Sequence, residues 1–325
     1  MKVGFVIARA SSLDTTWTTV HLATAALRQG HAVRFVEPWD FEVDGSGRLI
    51  ARAHSFDRPL DAEGLVAALT ERQAPRRYVD LQRLDVLLLR TSPLDPGTLA
   101  FAALARDLGV RVVNDPDGIL RVAHKAWLAS CPGAHVPPSV VTRSRASARL
   151  FYQSQRAGVV VKPARGSGGR AVQQVRPHEV DQLEDAFDAA AEASDGYVVV
   201  QRYVAEAHGG EKRLVWLDGA VLGGYLRRRA AGEFRHNLKR GATAEPTDVT
   251  PEELAAVETI SAPLLQAGIR LAGLDLIGGW LIEVNVLNPG GAYHTDRLAG
   301  THTADAILTR LCRPLEQTPW VPRAP

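Results

Sequence analysis

Short apolar strands alternate with helices near the start of this 325-residue chain, and this alternation restricts the fold more than any other feature. Residues 3–8 and 86–89 are apolar runs of strand length, whereas residues 17–29 are helical and end at Gly30, a typical helix C-cap. Strands that alternate with helices build a parallel, doubly wound sheet. We therefore predict an α/β domain over residues 1–120, with ligands at the carboxyl ends of its strands.

A second constraint lies near the other end of the chain, where Gly278-Gly279 joins two apolar runs and so predicts a β-hairpin. Asp275 and Glu283 lie inside these runs, although burying an unpaired carboxylate costs several kcal/mol. Because side chains alternate along a strand, Asp275 faces Glu283 only across a three-residue loop or beside a β-bulge. Asn285 then shares this face, and the resulting all-oxygen ligand set suits Mg²⁺. The alternative is a surface hairpin with solvated polar side chains, which its apolar neighbours disfavour.

A glycine-rich segment follows a predicted strand in the middle of the chain. The strand covers residues 159–163 and carries Lys162, and the segment covers residues 164–169. Glycines allow backbone N–H groups to approach phosphate oxygens, although a Walker motif would continue into a helix instead of a strand. Five of the 38 basic residues are lysines, so a lysine kept here suggests a point-charge contact to phosphate. The segment is either a phosphate-binding loop or a flexible hairpin tip.

The composition argues against several classes of function. A formal net charge of +2 gives no electrostatic case for nucleic-acid binding, and the apolar runs are too short for a membrane span. The two cysteines, Cys131 and Cys312, argue against a disulfide scaffold and favour a reducing cytoplasm. We therefore expect a cytoplasmic protein that acts on small molecules, with neither nucleic acid nor membrane as its partner.

These features together resemble the ATP-grasp superfamily, and bacterial glutathione synthetases in particular, from Met1 to about Leu311. The resemblance rests on the order and spacing of short motifs rather than on any one of them. The motifs are Arg52-Ala53-His54-Ser55, Leu89-Arg90, Val113-Asn114, Val161-Lys162-Pro163, Gly168-Gly169, Glu211-Lys212-Arg213, Arg235-His236-Asn237-Leu238, Gly273-Leu274-Asp275 and Glu283-Val284-Asn285. The implied fold is an N-terminal doubly wound parallel-sheet domain followed by two α+β subdomains that sandwich a nucleotide.

The resemblance implies a division of labour among the matching residues. Arg213 and Arg227 would stabilise the transferring phosphoryl group. The triad at Asp275, Glu283 and Asn285 would bind Mg²⁺, with Mn²⁺ as an alternative. The residues implied to contact ATP are Lys125, Lys162, Gly166, Ser167, Gly168, Gly169, Gln201, Tyr203, Val204 and Glu211, and those implied on the substrate side are Arg90, Arg235 and Asn237.

The implied chemistry is ATP-dependent joining of a carboxylate to an amine through an acyl phosphate. Two segments depart from the glutathione synthetase pattern, and both would face the peptide substrate. Thr91-Ser92-Pro93-Leu94 replaces the usual Lys-Asp-Pro-Pro, and Leu287-Asn288-Pro289-Gly290-Gly291 replaces a Thr-Ser-Pro-Thr-like segment. The alternatives to glutathione synthesis are therefore ligation of another amino acid, peptide or natural product, or nucleotide binding without ligase activity.

The domain organisation follows from the same resemblance. We expect the substrate-side domain at residues 1–120, an ATP-grasp lid subdomain at 121–200 and a C-terminal ATP-grasp subdomain with the magnesium site at 201–315. Residues 316–325 are rich in proline and predict a loose tail. The resemblance also implies a homo-oligomer, either a dimer or a tetramer, that acts on amino acids or peptides.

Overall fold

Residues 1–71, 74–166 and 168–313 are described by the computed structural model. They divide into two units, and the chain passes between them several times. The first unit contains Met1–Ile119, Leu265–Ala272 and the chain from Val286 onward, and the second contains Leu120–Leu264 and Gly273–Asn285. Ser167 and the expected tail at residues 316–325 lie outside the described residues. No helix in the described ranges is long and apolar enough to cross a membrane.

The first unit is built on a six-stranded sheet of order β4-β3-β2-β1-β5-β6. Its strands are β1 (Lys2–Val6), β2 (Ala32–Val43), β3 (Leu49–Phe56), β4 (Arg76–Asp80), β5 (Val86–Leu89) and β6 (Arg111–Val113). Strands β2, β1, β5 and β6 run parallel, which confirms the expected α/β fold. Strand β5 is buried along its whole length, as parallel strands covered on both faces are.

Strands β3 and β4 extend this sheet by antiparallel pairing, which the sequence did not predict. Strand β2 pairs with β3 on both sides of an irregularity between Val36 and Phe41. Strand β4 has the sequence Arg-Arg-Tyr-Val-Asp and leaves its middle residues exposed at the sheet edge. Such a strand lacks the apolar pattern on which sequence prediction depends. The sheet of the first unit is therefore mixed, with a parallel centre and an antiparallel edge.

Helices pack against sheets in both units. Their bounds are α1 (Thr18–Arg28), α2 (Ala62–Thr70), α3 (Pro96–Asp107), α4 (Pro116–Val122), α5 (Ala126–Ser130), α6 (Arg145–Gln153), α7 (Val180–Glu192), α8 (Pro251–Gln266), α9 (Ala292–Ala299) and α10 (Thr303–Leu311). Lys125 lies at the N-cap of α5, at the end of the turn that separates α4 from α5. A capping box begins α8: Glu253 accepts from the N–H of Thr250, and Thr250 accepts from that of Glu253.

The second unit contains two sheets. One is antiparallel, of order β7-β10-β8-β9, and its core packs against α6 and α7. The other has the order β13-β12-β11-β14-β15. The strands are β7 (Ser139–Thr142), β8 (Val159–Pro163), β9 (Gln173–Val175), β10 (Val198–Arg202), β11 (Glu211–Leu217), β12 (Ala220–Arg228), β13 (Thr243–Glu245), β14 (Leu271–Ile277) and β15 (Trp280–Asn285). Most of the predicted site residues lie on β8, β10, β11, β14 and β15 or directly after them.

Candidate active site

The hairpin of β14 and β15 brings the predicted metal-binding side chains together. Its turn is Gly278-Gly279, with φ of 53° and 81°, and positive φ at both positions is typical of a type I′ turn. The register shifts after Asp275, so that Asp275 lies directly opposite Glu283. Asn285 lies opposite Gly273 and donates from Nδ2 to Oδ2 of Asp275 at 3.0 Å. The expected facing of the two carboxylates is confirmed, and a β-bulge beside a two-residue turn produces it.

Two arginines from neighbouring strands hold the Asp275 carboxylate. Arg213 on β11 donates from Nε to Oδ1 at 2.5 Å and from Nη2 to Oδ2 at 2.9 Å. Arg227 on β12 places Nη2 at 2.6 Å from Oδ1. Asp275 is buried, and burial alone would raise the pKa of its carboxyl group, but the two guanidinium groups outweigh burial and lower this pKa. Asp275 is therefore an anion whose oxygens are fully engaged by cations.

Glu211 lies opposite Arg227 in the β11–β12 register and contacts its guanidinium group. Burial raises the pKa of Glu211, and the positive charge of Arg227 opposes this effect. Arg228 and Arg229, the next two residues, make ion-pair and ring contacts elsewhere. For Arg228 this is the expected consequence of side chains that alternate along a strand, whereas Arg229 lies after the end of β12.

The two predicted phosphate-binding lysines reach the same hairpin. Lys162, buried at the end of β8, donates from Nζ to Oε1 of Gln201 at 3.0 Å and to the carbonyl of Ile282 at 3.3 Å. Burial lowers the pKa of Lys162 to about 8, and the negative charge of Glu283 opposes this effect. Lys125 places Nζ at 3.1 Å from Oε1 of Glu283. The ammonium group of Lys125 therefore lies beside Glu283, and that of Lys162 lies beside Ile282.

The glycine-rich segment lies beside the two residues predicted for the substrate side. Gly169 has φ of 68°, and a Cβ there would lie 2.7 Å from Oδ1 of Asn237, so only glycine fits. Arg235 donates from Nη1 to the carbonyl of Gly169 at 3.1 Å and pairs with Glu233 at 2.7 Å. Lys125 donates to the carbonyl of Gly166 at 3.3 Å. The segment thus accepts hydrogen bonds from charged side chains at two of its backbone carbonyls.

An apolar cluster lies next to these charged groups. Val204, Ala207 and Ile277 form its buried part, and Tyr203 and Ile282 pack against it. Tyr203 and Val204 follow β10 directly, and Gln201, which lies on β10, contacts Lys162. The cluster therefore joins Tyr203 and Val204, which the resemblance implies to contact ATP, to the hairpin that carries the acidic triad.

One cavity of the second unit is lined by all the predicted site residues of that unit that the structure describes. Sequence reasoning assigned no role to several other lining residues, among them Phe234, which precedes the Arg235-His236-Asn237-Leu238 motif, and His236, which lies within it. The predicted residues in the lining are Lys125, Lys162, Gly166, Gly168, Gly169, Gln201, Tyr203, Val204, Glu211, Arg213, Arg227, Arg235, Asn237, Asp275, Glu283 and Asn285.

The charge of this cavity is strongly positive. Of its described lining residues, seven are arginine or lysine and three are aspartate or glutamate. Because low-dielectric walls strengthen such a field, the excess of four positive charges favours a polyanionic ligand. Backbone groups of glycines and an apolar cluster lie in the same cavity, so it offers contacts for an apolar ring as well as for phosphate groups.

Arg90 belongs to the first unit and follows β5 directly. It is 4% exposed and donates from Nε to Oγ1 of Thr19 at 3.2 Å, whereas its Nη1 is buried without a hydrogen-bond partner. No carboxylate of the described chain forms an ion pair with it, and burial lowers its pKa to about 9. Thr19 in turn donates to Oδ1 of Asn288 at 3.4 Å. A buried guanidinium without a counter-ion is a site for an external anion.

Comparison with known proteins identifies the family. The model of the prokaryotic glutathione synthetase ATP-grasp domain matches residues 125–300, and that of the prokaryotic glutathione synthetase N-terminal domain matches residues 1–120. The glutathione synthetase of Rhodopseudomonas palustris is 30% identical over 295 residues, which cover 89% of this chain and 91% of the relative. The glutathione synthetase of Synechococcus elongatus is also 30% identical and covers 96% of this chain and 98% of the relative.

Solved structures agree with this fold. D-cycloserine synthetase superposes with a TM-score of 0.66 at 18% identity, covering 95% of this chain and 99% of that protein. The ATP-grasp ligase PsnB, solved with a precursor variant, Mg and ADP, gives a TM-score of 0.60 at 17% identity and covers 95% and 97% of the two chains. With the family models and the curated relatives, these findings make the chain an ATP-dependent ligase that forms an amide bond, and it belongs to the prokaryotic glutathione synthetase family of ATP-grasp proteins.

Proposed function

We propose that the cavity of the second unit binds ATP with Mg²⁺ and that the chain joins a carboxylate to an amine through an acyl phosphate. The observation that carries this proposal is the excess of four positive charges around facing carboxylates in one cavity. Phosphoryl transfer requires positioning and charge neutralisation more than covalent catalysis by the protein. Arginines and lysines supply this neutralisation, and the glycine-rich segment supplies backbone donors.

Each group of lining residues has a role in this proposal. Lys125 and Lys162 hold the phosphates, together with the backbone of the glycine-rich segment. Tyr203 and Val204 hold the adenine ring against the apolar cluster. Glu211 accepts hydrogen bonds from the ribose hydroxyls. Gln201 contacts the adenine base. Arg213 and Arg227 stabilise the negative charge that spreads over the transferring phosphoryl group.

The donor set at the hairpin fits a magnesium ion. Asp275 and Glu283 supply carboxylate oxygens and Asn285 supplies an amide oxygen, which are the ligands that Mg²⁺ prefers. Mn²⁺ shares this preference for oxygen and is expected to substitute for it. Arg213 and Arg227 contact the same carboxylate of Asp275, so a magnesium ion would compete with these two guanidinium groups for its oxygens. The bound ion would neutralise phosphate charge.

The reaction balances without a catalytic nucleophile on the protein. A substrate carboxylate oxygen attacks the γ-phosphorus of ATP, and the bond to the β,γ-bridging oxygen breaks to release ADP. The amine then attacks the acyl carbon, phosphate departs and the nitrogen loses a proton. Arg90 would hold a carboxylate of the substrate, and Arg235 and Asn237 would contribute to the acceptor side. The substrates are amino acids or peptides, as in the glutathione synthetase family.

The acid substrate is expected to differ from γ-glutamylcysteine. Thr91 and Ser92 offer neutral hydrogen bonds where the family offers a lysine and an aspartate, so the zwitterionic γ-glutamyl end should bind weakly. We expect γ-glutamylcysteine with glycine to be a poor or inactive pair and a less charged acid to be preferred. Steady-state kinetics decide this: a kcat/KM of about 10⁴ M⁻¹s⁻¹ or more, in the ordinary enzyme range, would make the chain a plain glutathione synthetase.

A panel of amino acids and dipeptides, offered in pairs, tests the proposal as a whole. We expect ADP to appear with some pairs and to depend on both members. The Glu283→Gln variant serves as the inactive control for contaminating ATPase. Nucleotide binding without ADP formation in any pair would instead support a nucleotide-binding protein that has lost ligase activity.

The glycine-rich segment is expected to close over bound nucleotide. Lids commonly exclude water, which here would hydrolyse an acyl phosphate. We expect the backbone amides of Gly168, Gly169 and Arg170 to exchange with solvent more slowly once a non-hydrolysable ATP analogue is bound. Hydrogen exchange with mass spectrometry measures this, and unchanged exchange across residues 165–170 would argue against a lid.

Nucleotide affinity is expected to fall at alkaline pH. Because burial lowers the pKa of Lys162 to about 8, its ammonium group loses its proton between pH 7 and pH 9. If the protonated form holds phosphate, the Kd for ADP should rise about tenfold over this range. Calorimetry measures it, with Lys162→Arg as the control, since arginine keeps its charge. Equal wild-type Kd values at both pH values would remove Lys162 from the phosphate site.

We also propose the functional division expected from the sequence, with a substrate-side domain at residues 1–120 and ATP-grasp subdomains at 121–200 and 201–315. The protein would act in the cytoplasm as a dimer or tetramer. Size-exclusion chromatography with light scattering determines the oligomeric state, and a monomer at micromolar concentration would contradict it.

A further inference from the structure

Trp280, the first residue of β15, is held between two side chains from other parts of the second unit. Its ring stacks on the ring of His135, with centroids 4.1 Å apart and an interplanar angle of 13°. The guanidinium carbon of Arg202 lies 4.9 Å from the centroid of the same tryptophan ring. Arg202 is the last residue of β10, and His135 precedes β7. One ring therefore contacts two segments that are remote from β15 in the sequence.

Backbone and apolar contacts join the same segments. The N–H of Leu281 donates to the carbonyl of His135 at 2.9 Å. Trp280 packs on the apolar cluster that contains Val204. At the turn of the hairpin, a Cβ on Gly278 would lie 2.6 Å from Cβ of Glu206, so the turn touches the segment that follows Val204. The hairpin that carries Asp275, Glu283 and Asn285 is thus in direct contact with the segment after β10.

We infer that Trp280 is a positioning residue that fixes the distance between the adenine-binding segment and the metal-binding hairpin. The inference rests on the proposed function, which assigns those two roles. The segment follows a strand of the four-stranded sheet, whereas the hairpin belongs to the five-stranded sheet. A nucleotide that contacts both the segment and the hairpin requires a fixed distance between them. Small changes of such a distance in a binding site have large effects on function. Trp280 acts through these segments and need not touch the nucleotide.

Three variants test the inference by calorimetric titration with ADP and Mg²⁺. Trp280→Ala should raise the Kd about tenfold, whereas Trp280→Phe, which keeps a ring between His135 and Arg202, should stay within about threefold of the wild type. Trp39→Ala is the matched control: Trp39, in the first unit, also has an arginine over its ring, at 5.5 Å. It should leave the Kd unchanged.

The outcomes separate this inference from the proposed function. If the wild type does not bind ADP, both are overturned. If the wild type binds and Trp280→Ala binds equally well, the inference alone is overturned. Should Trp280→Ala fold poorly, His135→Ala removes the ring stacked on Trp280, which lies outside the cavity lining, and should still weaken ADP binding by more than threefold. A positioning role raises the KM for ATP with kcat nearly unchanged, and a fall in kcat alone, with KM unchanged, would contradict it.

Discussion

Replacing Asp275 by alanine is expected to lower the free energy of unfolding by about 3–5 kcal/mol. Asp275 is the shared counter-ion of Arg213 and Arg227, whose side chains are 13% and 6% exposed. Without it, two buried guanidinium groups lie next to each other with Glu211 as their one remaining carboxylate contact in the described chain. Urea unfolding at neutral pH, followed by circular dichroism, measures the change.

An exposed ion pair provides the control for this variant. Asp305 accepts from Arg28 at 2.8 Å, but the two side chains are 31% and 52% exposed. Exposed pairs contribute about 1 kcal/mol or less, so Asp305→Ala should have a small effect. If Asp275→Ala were no more destabilising than Asp305→Ala, the buried charge network would not hold the site together as described.

Glu283→Gln and Asn285→Ala are each expected to reduce the rate of ligation about 100-fold or more while the protein stays folded. Glu283→Gln removes a negative charge from the proposed metal site and Asn285→Ala removes an amide oxygen ligand, and loss of a single electrostatic contact to the transition state commonly costs this much. The Glu283 side chain is 29% exposed, so its loss should leave the core intact. Steady-state ADP formation at saturating ATP, over a range of Mg²⁺ concentrations, measures the rate.

Glu245→Gln is the matched control for these two variants. Glu245 lies on β13 of the same sheet and pairs with Arg228, but it does not line the cavity. It should keep the wild-type rate at every Mg²⁺ concentration. Full activity of Glu283→Gln at limiting Mg²⁺ would show that the metal assignment is wrong.

The sequence predicted the hairpin well because each requirement was local. Two glycines defined the turn, and strand alternation demanded either a three-residue loop or a β-bulge before Asp275 and Glu283 could face each other; the structure has the bulge. The partners of Asp275 were harder to predict, since Arg213 and Arg227 come from strands far away in the chain. Spacing within a motif carries no information on which distant cation neutralises a buried carboxylate.

The elements that the sequence missed have polar or short apolar patterns. Strand β4 lies at a sheet edge with exposed side chains, and α9 reads Ala-Tyr-His-Thr-Asp-Arg-Leu-Ala, with two buried residues. Neither shows the periodic apolar face from which a strand or helix is recognised. The role of Trp280 was missed for a different reason, because its two ring partners, His135 and Arg202, are remote in sequence.

Transfer of ¹⁸O from a substrate carboxylate to phosphate tests the central claim most directly. With the acid and amine that support ADP formation, the acid labelled at its carboxyl oxygens should give inorganic phosphate that carries one ¹⁸O atom for each amide bond formed, with ADP as the other product. This result requires a carboxylate to have attacked the γ-phosphorus. Unlabelled phosphate, or AMP and pyrophosphate in place of ADP, would contradict an acyl phosphate formed in this cavity.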